Sequence, residues 1–356
     1  MCRLNGTFAM PLRDFDLDVA DFVVQEGETL ALIGENGAGK STVLRVLSGL
    51  LKPVSGRIVL NDRVLFDSAA GVCLSPEDRQ IGYMFQNYAL FPHMTARENI
   101  GYGLRVRGMP EAEVSARVDA LCERMGVSEI ADQLVTRMSG GQRQRTALAR
   151  ALAPSPELLL LDEPLSALDV RTQEQMRREL ASVIRSERIP CIIVTHSIVD
   201  ALAVADRIAV IERGRIVACG APEEIIHNPA NGFVSSFSEN LNLFRGTVVV
   251  GRDGVVCVDV AGVKIRATTT LSGTVSVGIR PEELILSRER FESSAINSFR
   301  GVITRVEDTG LYQYVYVDIG ITLAAAVTRQ SMERLQFVVG DEVTVTFKAT
   351  AVQVFV

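Results

Sequence analysis

The stretch TLALIGENGAGKS, from Thr29 to Ser41, decides the fold of this 356-residue chain. Thr29–Ile33 is a short apolar run, a glycine-rich turn follows, and STVLRVLSGL then takes up a helical period. Gly34, Glu35, Asn36, Gly37, Ala38, Gly39, Lys40 and Ser41 fit G-x-x-x-x-G-K-[ST], with a strand before the motif and a helix after it. The glycines let successive backbone N–H groups curl around a phosphate without Cβ clashes. The helix starting near Lys40 aims its positive end at the same point. Lys40 would set its cation on the β- and γ-phosphates, and the Ser41 hydroxyl can ligate Mg²⁺, so the expected ligand is a nucleotide with its metal. Thr42 closes the expected binding loop.

Outward from this loop, IGYMFQ (81–86), LLLLD (158–162), CIIVTH (191–196) and RIAVIE (207–212) read as further strands. Helical stretches such as VSARVDALCERMG and VRTQEQMRRELASVIRSER separate them. Strands alternating with helices predict an α/β domain around a parallel sheet. The run Leu158–Leu161 ends in Asp162 and Glu163. Beside a phosphate-binding loop, Asp162 would hold Mg²⁺ and Glu163 would orient or deprotonate an attacking water. In MSGGQRQR, Ser139 is placed to cap a helix, and Gly140, Gly141 and Gln142 open its first turn. Such a helix start is a second surface suited to phosphate.

With these residues in order, the chain resembles the ATP-binding-cassette ATPases. The phosphate-binding loop, a Gln loop at Gln86, the signature at Ser139–Gln142, Asp162-Glu163, a D-loop ending at Asp169 and a switch histidine, His196, follow in the family's sequence. The resemblance implies a P-loop α/β domain with a helical subdomain, binding ATP and Mg²⁺. It implies two copies paired head to tail, with ATP between the Lys40 loop of one and Ser139, Gly140, Gly141 and Gln142 of the other. Gln86 would touch Mg²⁺ and the water, His196 would reach the γ-phosphate, and Asp169 would link the two sites. Met138 stands where the family has Leu, a swap of similar volume. Ser197 follows His196 where the family often has Asp. Phe8 and Phe15 are candidates to stack on adenine, each also suited to a core. His93 and His227 receive no chemical role.

Composition bounds the rest. The chain is 47% hydrophobic and 22% charged, with net charge −6. That is ordinary for a folded chain of about two domains, and an acidic balance argues against general nucleic-acid binding. No apolar run reaches the 18 or so residues of a membrane span. Arg13 and Asp14 interrupt the apolar start, so no secretory signal is expected. Six scattered cysteines without C-x-x-C, and three histidines, predict reduced thiols and no structural metal site.

The expected domains are 1–230, a linker at 231–242 within an Asn-, Ser-, Pro- and Gly-rich stretch, and 243–356. From about 240 the strands alternate in polarity between short turns, as in an all-β OB-like small barrel. The two halves of this region could be related barrels, without enough identity to define a repeat. Segments 81–103 and Gly278–Glu282 resemble importer ATPases that work with a permease and a substrate-binding protein. Segments 56–83 and 293–355 resemble the molybdate/tungstate importers and their fused oxyanion-binding barrel. The implied place is the cytoplasmic face of the cell membrane. Importers of sulfate, ferric iron, polyamines or sugars, and soluble ABC ATPases, stand as alternatives. The oxyanion positions implied are Ser294, Thr328, Ser331, Lys348 and Thr350. Ile296 replaces an arginine of that family's pattern, a loss of roughly 1.5–3 kcal/mol for a charged hydrogen bond.

Overall fold

A computed structural model describes residues 3–166, 170–227, 242–250, 256–291, 293–308 and 312–355. Asp169 and nearly all of the expected linker therefore lie outside the described residues. The chain divides into two compact units, Met1–Ala230 and Asn231–Val356.

The apolar run Thr29–Ile33 lies inside an eleven-stranded sheet of the first unit. In chain order its strands are β1 (Leu4–Pro11), β2 (Asp16–Val24), β3 (Thr29–Ile33), β4 (Ser55–Leu60), β5 (Arg63–Asp67), β6 (Val72–Cys73), β7 (Ile81–Met84), β8 (Leu158–Asp162), β9 (Cys191–Val194), β10 (Arg207–Glu212) and β11 (Arg215–Gly220). Across the sheet they stand β6-β5-β4-β1-β2-β11-β10-β3-β9-β8-β7. The last five are parallel. Among these, β3, β8 and β9 are buried at every position, which is why they read as unbroken apolar runs. The rest of the sheet is chiefly antiparallel, a half that the expectation of a parallel sheet did not include. Its strands are shallower: β1 alternates buried and exposed residues from Leu4 to Phe8, so no continuous apolar run marks it.

Among the described residues the helices of this unit are α1 (Lys40–Ser48), α2 (Ala96–Val106), α3 (Glu111–Arg124), α4 (Gly140–Leu152), α5 (Val170–Glu187), α6 (Ile198–Val204) and α7 (Pro222–His227). Leu44 and Leu47 of α1 join Leu30, Leu32, Leu158, Leu160, Ile192 and Val194 in one core, so the helix behind the phosphate loop is seated on the parallel strands. Each such leucine contributes about 1.5–3 kcal/mol through burial. The far end of α1 is closed by Arg79, which is fully buried. Its Nη1 donates to the carbonyls of Val46 and Leu47, both at 2.8 Å, adding to the Gly49 N–H that also reaches Val46 at this helix end. Helices α2, α3 and α4 pack on one another as a separate cluster.

The second unit holds two five-stranded sheets around a shared core. Its elements are β12 (Asn242–Val250), β13 (Val256–Val260), β14 (Val263–Arg266), β15 (Thr274–Ile279), β16 (Ile285–Ser287), β17 (Asn297–Asp308), β18 (Tyr312–Asp318), β19 (Thr322–Thr328), α8 (Arg329–Leu335), β20 (Glu342–Phe347) and β21 (Val352–Phe355). The sheets run β14-β13-β12-β15-β21 and β19-β18-β17-β20-β16. They are two copies of one plan that exchange their fifth strands. The copies open alike, NLFRG at 242–246 and NSFRG at 297–301. Each leading asparagine is buried and reaches into the opposite sheet. Asn242 donates to the Ala324 carbonyl and accepts from the Ala324 N–H. Asn297 treats Arg266 in the same way. A Cβ on Gly246 or Gly301 would stand 2.6 or 2.5 Å from a carbonyl oxygen of the neighbouring strand, so both copies need glycine there. The repeat is thus real, and short matches around buried Asn and Gly carry it rather than overall identity.

Candidate functional site

Four loops at the carboxyl ends of β3, β7, β8 and β9, together with the β1–β2 turn, border a cavity of about 460 Å³. Its lining is Leu12, Asn36, Gly37, Gly39, Lys40, Ser41, Thr42, Gln86, Glu163 and His196. Gly39 stands at φ 105°, a left-handed value that lets the loop turn directly into α1. Ala38 is buried beneath the loop. Lys40 is buried, and its Nζ donates to the carbonyls of Gly34 and Glu35, both at 2.8 Å. Burial pulls its pKa down, while Glu163 and Asp162 push it back up.

The acidic end of β8 meets this loop directly. The Ser41 hydroxyl donates to Asp162 Oδ1 at 2.9 Å, and Tyr83 Oη donates to Oδ2 at 3.3 Å. Burial raises the Asp162 carboxyl above its ordinary value, partly offset by the Ser41 and Tyr83 hydrogen bonds. Burial, with Asp162 nearby, likewise pushes the Tyr83 hydroxyl up. Glu163 follows in left-handed backbone, φ 46°, with its N–H on the Val194 carbonyl. Gln86 Nε2 donates to Glu163 Oε2 at 3.0 Å, and His196 Nδ1 lies 3.2 Å from Oε1. One carboxylate is therefore held from two strands at once.

His196 ends the loop after β9, and Ser197 caps α6 by accepting from the Asp200 N–H. The serine thus fills the capping task that an aspartate performs well. The same Asp200 makes a buried ion pair with Arg177 of α5 at 2.7 Å, which anchors the helix behind His196.

The signature residues are not part of this cavity. Ser139 is the N-cap of α4 and accepts from the Gln142 N–H, while Gln142 returns a hydrogen bond to the Ser139 N–H. This capping box accounts for the glutamine by local structure alone. Phe8 is buried in the β1 core and Phe15 is half-buried; Leu12, not either ring, borders the cavity. Leu12 carried no sequence signal, being one apolar residue in a turn. Tyr83 and Asp200 were equally unmarked, since their partners lie 79 and 23 residues away.

The oxyanion positions fall in two places. Ser294 precedes β17, and Lys348 and Thr350 follow β20, whose Phe347 pairs with Asn297. Thr328 caps α8 by accepting from the Ser331 N–H and pairs with Tyr312 beside the far end of β17. Within one chain the two groups stand at opposite ends of β17.

Comparison with known proteins agrees with this geometry. Residues 17–166 match the ABC transporter family, and residues 293–354 match the TOBE domain. The molybdate/tungstate import ATP-binding protein of Pyrococcus abyssi is 37% identical over 347 residues, 96% of this chain and 97% of that protein. The chain belongs to the ATP-binding subunits of ABC importers. The sulfate/thiosulfate import ATP-binding protein of Mycobacterium bovis is 38% identical over 339 residues, 94% of this chain and 88% of that protein. A dimeric ATP-binding cassette solved in a post-hydrolysis state with ADP and Pi covers 62% of this chain and 99% of its own, at TM-score 0.52 and 28% identity. As a member of the family, this importer subunit is an ATPase whose hydrolysis is coupled to transport. Among the described residues no helix is long and apolar enough to cross a membrane.

Proposed function

We propose that this subunit hydrolyses ATP to drive uptake of molybdate or tungstate, as two copies paired head to tail under a separate permease supplied by a substrate-binding protein. The proposed place is the cytoplasmic face of the membrane. The observation that carries the hydrolytic reading is the pairing of Ser41 with Asp162, beside Glu163 held by Gln86 and His196, in one cavity. The substrate reading rests on similarity along the whole chain, tail included, to a molybdate/tungstate relative. A sulfate/thiosulfate relative stands at similar identity, so sulfate import is the second reading, and both share a tetrahedral oxyanion.

The donor set fits Mg²⁺: a hydroxyl and a desolvated carboxylate 2.9 Å apart, with the Gln86 amide lining the same cavity. Mg²⁺ is bound by few protein oxygens and keeps waters and phosphate oxygens as its other ligands. Ser41, Asp162 and Gln86 would hold it, and bound there it neutralises charge on the phosphates. Lys40 exchanges loop carbonyls for phosphate oxygens. Glu163 accepts the proton of the attacking water, and Gln86 and His196 fix the carboxylate for that transfer. Ser139, Gly140, Gly141 and Gln142 of the second copy would close the phosphates from the other side, with Asp169 at the junction.

Glu163→Gln tests the reading. It keeps the shape and the Gln86 contact but removes the base. Turnover should fall by about 10²–10⁴-fold, the scale of a positioned general base, with ATP binding retained. Steady-state hydrolysis by the purified variant at the wild-type rate would overturn Glu163 as the base.

A further inference from the structure

The loop after Gln86 holds two consecutive residues in left-handed backbone, Tyr88 at φ 63° and Ala89 at φ 44°. A Cβ crowds the following carbonyl in that region, so neither residue prefers it and two in succession need an outside hold. The Tyr88 N–H donates to the Phe85 carbonyl at 2.8 Å, which forms the turn but does not fix its far side. Arg150 does that. Its Nη1 donates to the Ala89 carbonyl and its Nη2 to the Tyr88 carbonyl, both at 2.7 Å. Its guanidinium lies over the Phe91 ring, 5.6 Å from the centroid. A planar fork suits two adjacent carbonyls in a way that a single ammonium does not. Buried Asn99 then secures Phe91 by accepting from its N–H and donating to its carbonyl. The loop is thus fixed downstream at Tyr88–Phe91, and Gln86 is left at its upstream end, donating to Glu163. Arg150 sits in the last turn of α4, the helix capped by Ser139.

We propose that Arg150 is a positioning residue for hydrolysis: its fork holds Tyr88 and Ala89 in left-handed backbone and so sets Gln86 against Glu163. The proposal rests on the reading of Glu163 as the base. When the fork is lost, the two residues relax toward right-handed backbone and Gln86 leaves the carboxylate. The nucleotide contacts of Lys40 and Ser41 are on other elements and stay in place. Arg150 therefore acts on kcat and not on the affinity for metal-free ATP.

The test is a rescue. Arg150→Ala should lower kcat by about 10- to 100-fold, the scale of a small misplacement of a reacting group, with ATP affinity by calorimetry without Mg²⁺ within about twofold of wild type. Ala89→Gly in that background should restore most of the rate, because glycine adopts positive φ without a clamp. Ala89→Gly alone should hydrolyse ATP near the wild-type rate. If Arg150→Ala keeps a normal kcat, or if Ala89→Gly restores nothing, the positioning role is wrong. Should Arg150→Ala not fold, Arg150→Gln, which keeps a stem and one donor, carries the same pair of measurements. Hydrogen exchange should quicken at amides 86–91 but not in α1; equal protection in variant and wild type would also overturn the proposal. Glu163→Gln separates the two readings. If it is inactive while Arg150→Ala is normal, only the clamp fails; if it hydrolyses normally, the reading of the base fails first.

Discussion

In the proposed reading the two units differ in where their symmetry partner is found. The second unit contains its own: NLFRG and NSFRG start equivalent strands, and Asn242 and Asn297 each satisfy a backbone N–H and carbonyl of the opposite sheet. Both asparagine side chains find their partners inside the chain. In the first unit, the Lys40 loop and the α4 N-terminus are both shaped for phosphate, but only the former lines the cavity. In the proposed reading the answer comes from another molecule. An internal copy is betrayed by buried asparagines that bond across the core. In the same reading a second copy would answer the capped helix start with two glycines, which does not line the cavity of its own chain.

The largest effect expected from this contrast is complementation. Ser139→Arg and Lys40→Ala chains should each lose hydrolysis when alone. When mixed, head-to-tail pairs form in which one composite site joins an unaltered Lys40 loop to an unaltered signature. Hydrolysis should then return to a substantial fraction of wild type. Mixtures no more active than either parent would remove the shared-site model or the independence of its two sites.

Second in size is the cost of breaking the internal copy. Asn297→Ala and Asn242→Ala each leave one backbone donor and one acceptor of the opposite sheet without a side-chain partner, at about 1–3 kcal/mol per group where buried and so about 2–6 kcal/mol for the two, and Asn242→Ala also releases the Ile279 carbonyl. Hydrogen exchange of the tail amides under increasing denaturant measures this. Both variants should cost stability, Asn242→Ala the more, because its contacts are more deeply buried and include the Ile279 carbonyl. A cost confined to one of them would break the equivalence of the copies.

The contrast also explains what was readable in the sequence. The parallel strands were legible because burial on both faces gives runs such as LLLLD, and the phosphate loop because its function needs particular residues at fixed spacing. The antiparallel half was not, since a sheet with one wet face writes only a weak alternation, as in β1. The local cap at Ser139 could be foreseen from neighbouring residues. The hold of Arg150 on Tyr88 and Ala89 could not, because it joins residues 61 and 62 apart. Phe8 was a candidate for adenine by its chemistry alone, and burial in β1 removes it. The halves could be suspected of kinship but no repeat defined, because its information sits in Asn, Phe, Arg and Gly at the head of each copy, and later strands diverge.

The smallest effect concerns whether the doubled unit also binds an oxyanion. Ile296 immediately precedes Asn297, and Leu241 stands in the same place before Asn242, so neither copy carries an arginine there. Ser294, Lys348 and Thr350 cluster at the same end of β17 as Ile296. Ile296 is 47% exposed, so an arginine in its place would have room and solvent and should leave stability within about 0.5 kcal/mol. We propose that the wild-type chain binds molybdate weakly at this end, completed by a second copy, and that Ile296→Arg tightens binding by about 10- to 100-fold, the worth of one charge-assisted hydrogen bond. Calorimetry of the full chain with molybdate, tungstate and sulfate, without nucleotide, measures both. Heat from the variant but not from wild type would mean that this chain has lost the site while keeping its frame. Silence from both at millimolar anion would leave the doubled barrel a purely structural unit.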